Sequence, residues 1–176
     1  MRRQLNPINR TQQAGFNLLE MMIVLVVIII AVAVAAANIF GATSKNDVAQ
    51  DVQGIGSLQA NTKTTRGSGG YGAAGADLIP TLIALGAIPK TLTLTGTTVT
   101  NTWGGSVTVV STGAGFTITS QGVPKAACIE EAAKLSRGAA TTKVGAAAAV
   151  NGEVSIAAAT ASCSADTNTI AWTSAT

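Results

Sequence analysis

The chain has 176 residues, 47% hydrophobic but only 3% aromatic, which allows one modest domain beyond a leader and an apolar segment. Its net charge of +3 comes from three arginines before Gly15; the remaining 8 basic residues balance 8 acidic ones, which argues against nucleic-acid binding by bulk charge. There is no histidine and no evident acid–base carboxylate pair, so His-based triads and His metal sites are excluded, and we expect no enzyme, metal or cofactor.

A basic, polar leader precedes a long apolar run. Met21 to Ala37 contains no charged or polar side chain, and counted from Phe16 the run reaches the roughly 20 residues needed to span a membrane as a helix. Because Lys and Arg stay cytoplasmic, the leader predicts that the body lies outside the cytoplasm. Cleavage between Gly15 and Phe16 would remove the leader and keep the helix. An uncut signal anchor has the same topology, so topology alone leaves both alternatives open.

The junction Gly15–Glu20, with sequence Gly-Phe-Asn-Leu-Leu-Glu, resembles the prepilin peptidase site of type IV pilins and pseudopilins. This resemblance implies cleavage after Gly15 by a membrane peptidase and N-methylation of the new first residue, Phe16. The long leader is similar to that of the type IVb class. The implied fold is α+β: a long N-terminal helix with a protruding apolar half, packed on a small antiparallel β-sheet head with short extra helices and a C-terminal disulfide region.

Glu20 places a carboxylate in an apolar helix, where it should be neutral or paired. The resemblance implies that Glu20 of one copy faces the Phe16 amine of the next and sets the axial register of assembly. A buried pair of this kind specifies register more reliably than it adds stability. The alternative is that Glu20 only reaches the membrane edge.

The helix is predicted to continue to about Asn61. Val48, Val52 and Ile55 form an i, i+4, i+7 stripe, with Asp51 placed off it. Glycines within this helix, at 41, 54 and 56, are each expected to weaken it by about 1 kcal/mol relative to Ala. Beyond it, a Gly-, Ser- and Thr-rich loop leads to a short helix over Asp77–Leu85, with Asp77 as its cap and with Leu78, Leu82 and Leu85 on its buried face.

From residue 91 the pattern changes to alternating β-branched residues between glycines, which predicts antiparallel hairpins. The predicted strands are Thr91–Thr95, Thr98–Trp103, Ser106–Ser111, Gly115–Ser120, a hairpin of Val144–Val150 with Glu153–Ala157 around Asn151-Gly152, and Asn168–Thr173. A helix is predicted over Lys125–Arg137. On that helix, Glu130 and Glu131 are expected to form a solvated face.

Cys128 and Cys163 predict a disulfide if the body is exported, and two reduced thiols if the protein is cytosolic. Loop-closure entropy assigns such a bridge about 3–4 kcal/mol. The residues leading into the helix at Cys128 also resemble the disulfide region of type IVb pilins.

The predicted organisation has three parts: a leader (1–15) that is removed, a long helix (16–61) with a transmembrane or filament-core part (16–37), and a globular head (62–176). The head comprises a loop region with a short helix (62–90) and a sheet with the disulfide region (91–176). The extent of the long helix follows from the periodicity, whereas the resemblance implies the cleavage, methylation and register roles of Gly15, Phe16 and Glu20.

The resemblance implies a major pilin that polymerises through its apolar helix into a surface filament for adhesion, aggregation or mating-pair contact. Its implied partners are other copies of itself, the prepilin peptidase, the assembly machinery of the inner membrane, and that membrane before assembly. The extracellular filament is its implied final location. The alternatives are a minor pilin or a pseudopilin of a type II secretion system, and an uncleaved membrane-anchored binding module.

Overall fold

One long helix, α1 (Leu18–Thr64), begins within the apolar run and continues through the amphipathic segment. The computed structural model describes the backbone of residues 18–174 and the side chains of residues 21–30 and 45–174. Two units divide the chain, Met1–Ala42 and Thr43–Thr176. In the second unit, Val48, Ile55 and Leu58 of α1 are buried, as their helical spacing predicts.

The short helix α2 (Ile79–Ala84) follows the glycine-rich loop. The Ile79 amide donates a 2.9 Å hydrogen bond to Oδ1 of Asp77, so Asp77 satisfies an amide at the helix start, as predicted. Leu82 is fully buried. Leu85 is 62% exposed, so its predicted place on the buried face is wrong. The helix ends at Ala84, and Leu85 follows it as the C-cap, turned away from the core.

Seven antiparallel strands form one sheet in the order β1-β2-β3-β4-β7-β5-β6. Their bounds are β1 (Thr93–Thr95), β2 (Thr98–Thr100), β3 (Ser106–Ser111), β4 (Phe116–Pro124), β5 (Thr141–Val144), β6 (Val150–Asn151) and β7 (Thr167–Thr173). The first four strands are joined by successive hairpins, whereas β7 lies between β4 and β5. The predicted α+β class with an antiparallel sheet is confirmed.

Alternating side chains of the sheet fill the core. Burial alternates along β3 and β7, as the period of two predicts. Trp172 of β7 is fully buried and stands opposite Ile118 on β4 and Thr142 on β5. With so few aromatic residues in the chain, Trp172 and Phe116 are the largest fully buried side chains among the described residues.

The segment after β5 differs from its prediction. Val144–Val150 and Glu153–Ala157 do not form a hairpin around Asn151-Gly152. Instead β5 pairs with β6, and the second predicted strand is replaced by α4 (Ile156–Ser162). The Ala158 amide donates to Oγ of Ser155 at 3.2 Å. This N-cap, followed by an alanine-rich run of high helix propensity, outweighs the local hairpin signal.

Two glycines on α1 provide a matched pair for substitution. A Cβ added at Gly54 meets Thr91 Oγ1 at 2.8 Å and Leu92 Cδ2 at 3.0 Å, whereas one at Gly56 meets only Leu135 Cδ2, at 3.6 Å. We therefore expect Gly54→Ala to destabilise the head by about 1–3 kcal/mol through overpacking. Gly56→Ala should stabilise it by up to about 1 kcal/mol through helix propensity.

Urea unfolding of the two variants in parallel measures both effects. Equal gains from both substitutions would contradict the close contact at Gly54.

Candidate functional site

The first candidate site is the apolar segment Met21–Ile30 of α1. All ten of its side chains are exposed, from 48% at Val24 to 65% at Ile29, and they point in every direction around the helix. A helix that is apolar on all sides is normally enclosed by protein or lipid. An exposed apolar surface that is this continuous marks an interaction site.

The predicted residues of the cleavage junction fall at the edge of this segment. Gly15 and Phe16 lie outside the described residues. Glu20 lies on α1, but its side chain is not among those described, and the same holds for part of the predicted span 16–37. Within the described part of the chain, no helix has the length and hydropathy required to cross a membrane.

The second candidate site is the disulfide region, where the predicted Cys128–Cys163 bridge is confirmed. Cys128 lies on α3 (Lys125–Leu135), and Cys163 is the C-cap of α4. Their Cα atoms are 6.0 Å apart, and both residues are fully buried. The bridge therefore ties α3 to the segment that enters β7, in the middle of the sheet.

A third feature, which the sequence analysis missed, is a buried pair of acids between α1 and α3. Asp51 and Glu131 are both fully buried. The predicted solvated face at Glu130-Glu131 is therefore wrong for Glu131. Glu130 remains partly exposed and pairs with Lys134 at 2.7 Å.

Only Asp51 of the pair receives hydrogen bonds from the β2–β3 turn. The backbone N–H and the hydroxyl of Thr102 donate to Oδ1 of Asp51 at 3.1 and 3.3 Å. Burial raises the pKa of Asp51, although these hydrogen bonds oppose the shift. Burial, together with the nearby negative charge of Asp51, raises the pKa of Glu131 to about 9.

Helical spacing was the signal that could have located this pair. Asp51 lies three residues after Val48 and four before Ile55, so it shares their face rather than lying off it. Glu131 likewise lies three residues after Cys128 and four before Leu135, which are both buried. Charge normally excludes a residue from the core, and only the three-dimensional partner reveals the exception.

Where their side chains are described, these sites offer few groups for catalysis, because the two cysteines are joined in a disulfide and the sequence has no histidine. Within the described residues, no group of three or more His, Cys, Asp or Glu side chains lies close enough to hold a metal ion. The acid pair is enclosed in the core, so a substrate cannot reach it. The chemistry available to these sites is therefore packing, covalent cross-linking and proton retention.

Comparison with known proteins gives a consistent result. The family described as PilS N terminal matches residues 45–175, which is most of the chain. A crystal structure of a type IVb pilin from Salmonella typhi is 25% identical, with a TM-score of 0.59, over 69% of this chain and 95% of that one.

Two further structures are similar. The crystal structure of TcpA, a type IV pilin from Vibrio cholerae El Tor, is 14% identical with a TM-score of 0.57, over 74% of this chain and 99% of that one. An NMR structure of the type IVb pilin PilS from Salmonella typhi is 30% identical with a TM-score of 0.48, over 72% of this chain and 95% of that one. No curated protein sequence matches significantly.

Proposed function

Because this chain belongs to the PilS family of type IV pilins, we propose that it is the major subunit of a type IVb pilus. Pilins of this family are structural subunits, so the protein is not an enzyme. The observation that carries the proposal is the all-round exposure of Met21–Ile30, because such a surface requires a cover.

In a filament, the same helices of neighbouring copies enclose these apolar side chains. Before assembly, residues 16–37 lie in the lipid of the inner membrane, and after assembly they pack helix against helix in the filament core. Lipid tails are as apolar as these side chains, so transfer from water does not drive the exchange. Close packing and register provide the specificity, and the apolar faces of Val24, Ile28 and their neighbours provide the contact area.

Processing makes the helix ready for assembly. We propose that prepilin peptidase cleaves after Gly15, that Phe16 is then N-methylated, and that the new amine pairs with Glu20 of an adjacent copy. The inner-membrane assembly machinery then moves the mature chain into the filament. The leader residues 1–15 remain on the cytoplasmic side because of their arginines.

The head, beginning at residue 62, forms the filament surface. It is built on one hydrophobic core and contains a disulfide, which suits an extracellular location. Basic and acidic residues balance beyond the leader, so like copies repel one another little when they pack side by side. Adhesion, bacterial aggregation or mating-pair contact is the proposed use of the exposed head surface.

Sheared surface filaments from the source cells test this function. The expected result is that this chain dominates the filament protein, begins at Phe16 and carries one added methyl group by intact mass. In cells lacking prepilin peptidase, the same chain should begin at Met1 and stay with the membrane. A chain present only in trace amounts would favour a minor pilin or pseudopilin. An intact Met1 in wild-type cells would indicate an uncleaved membrane anchor and overturn the proposal.

A further inference from the structure

The buried acids Asp51 and Glu131 have too few donors around them. Oδ1 of Asp51 accepts two hydrogen bonds from Thr102. Oδ2 of Asp51 and both carboxyl oxygens of Glu131 have no donor while both groups are ionised. A buried acceptor without a donor is costly, and a buried charge without a partner is costlier still. One proton on Glu131 supplies the missing donor and removes one of the two charges.

No cation among the described residues takes the place of that proton. On α3, Lys134 pairs with Glu130, and Lys125 is exposed. On α1, Lys45 and Lys63 are exposed, and Asp47, another acid, is partly exposed.

The other elements packed in this core add no buried charge: Arg137, directly after α3, is exposed and lies 3.4 Å from Glu153. Strands β3, β4 and β7 contain no charged residue. The turn that carries Thr102 contains none either, and Lys143 of β5 is exposed. Asp51 is thus the charged group that acts on Glu131, and its negative charge favours the protonated form.

We propose that Glu131 keeps its proton at neutral pH and donates it in a hydrogen bond to the Asp51 carboxylate, so that one shared proton joins α1 to α3. Release of this proton leaves two carboxylates buried inside the head, and their repulsion lowers its free energy of unfolding. This shared proton does not depend on filament assembly, because Asp51, Thr102 and Glu131 all lie within Thr43–Thr176 of a single chain.

The sign of the pH dependence follows from where the proton is held. An unfolded chain releases the Glu131 proton near the ordinary value of 4.5, whereas the folded chain holds it up to about pH 9. Between these values the folded state binds more protons than the unfolded state, so raising the pH favours unfolding. The stabilisation is complete below the unfolded value and is lost as the pH rises towards the folded one. The unfolding equilibrium constant should increase up to about tenfold per pH unit.

Chemical unfolding at several pH values provides the test. The mature full-length chain in detergent is unfolded with urea at about pH 5, 7 and 9 and followed by tryptophan fluorescence, which reports buried Trp172 and partly buried Trp103 together. The wild type should lose stability with rising pH. Glu131→Gln should remove most of this dependence, because its amide donates to Asp51 without a titrating proton. The matched control, Glu130→Gln, alters the exposed neighbour and should keep the wild-type slope.

A wild-type slope in Glu131→Gln would overturn the proposal. If that variant fails to fold, infrared spectroscopy of the folded chain at neutral pH gives an independent answer. The carbonyl band of a protonated carboxylic acid should be present and should vanish on unfolding at the same pH. Recording it in the Glu20→Gln chain removes any contribution from the apolar helix. Absence of the band at neutral pH would equally overturn the proposal.

Discussion

Replacing Glu20 with alanine is expected to abolish surface filaments while leaving cleavage between Gly15 and Phe16 intact. In the proposed filament, Glu20 neutralises the Phe16 amine of an adjacent copy. Removing one partner of a buried ion pair costs about 3–5 kcal/mol, because the other charge is left uncompensated. Since about 1.4 kcal/mol is a factor of ten in an association constant, each subunit contact should weaken at least about a hundredfold. Electron microscopy and the yield of sheared filaments measure the loss.

Two further variants separate charge from shape at this position. Glu20→Gln keeps the size and hydrogen-bonding capacity of the side chain but not its charge, so it should also assemble poorly. Asn17→Ala changes a neighbouring polar residue and should assemble normally. In all three variants the mature N-terminus should be Phe16. Normal filaments from Glu20→Ala would show that Glu20 only reaches the membrane edge.

Removing both disulfide cysteines should destabilise the head without affecting cleavage. The bridge closes a loop between positions that are 35 residues apart, from α3 to the C-terminal end of α4. Loop-closure entropy in the unfolded chain predicts a loss of about 3–4 kcal/mol for the double variant Cys128→Ala, Cys163→Ala. In a domain of this size such a loss lowers Tm by about 10 °C or more. Thermal unfolding of the purified mature chain, followed by circular dichroism, measures it.

The exposed neighbour Ser164 offers a control, because Ser164→Ala alters the same segment without touching the bridge. That variant should unfold at the wild-type temperature. Both cysteines are fully buried, so a mild reductant should leave the disulfide of the folded wild type intact and reduce it only after unfolding. A double variant as stable as the wild type would show that packing of α3 and α4 suffices to hold this region.

These two predictions separate filament assembly from the stability of the head. Changes at Glu20 should affect assembly with little effect on the head, since the head has its own core from Val48 to Trp172. Changes at Cys128 and Cys163 should affect the head first and filaments only through the supply of folded subunits. A variant that altered both properties equally would indicate that the changed residue serves both assembly and the stability of the head.

Local sequence signals predicted much of the head correctly. Strand β3 has the predicted bounds, Ser106–Ser111, because β-branched residues alternate there and glycines flank the segment. Helix α3 begins at Lys125 as predicted, directly after Pro124. The segment around Asn151-Gly152 failed because two local signals competed. A hairpin dipeptide stood beside a serine cap and an alanine-rich run, and the sequence alone did not show which would prevail.

Burial of charge was the feature that sequence reasoning missed. Charged residues are rarely fully buried, so their charge predicts a position off the apolar stripe for Asp51 and a solvated face for Glu131. Their helical spacing is compatible with a core position, but a buried carboxyl there has to be neutralised, paired or hydrogen-bonded by another group. That partner lies on a different helix, 80 positions away in sequence (51 to 131), and no local pattern connects the two.

The sequence by itself determined the apolar helix and the alternating strands, and it predicts the leader and the cleavage motif with Glu20, because each depends on residues close together in the chain. Tertiary structure alone decided which residues meet. It placed β7 between β4 and β5, buried Asp51 and Glu131 in the core, and distinguished Gly54 from Gly56. The physical reason is that propensity and periodicity act within a few residues, whereas packing and desolvation depend on neighbours that only the folded chain supplies.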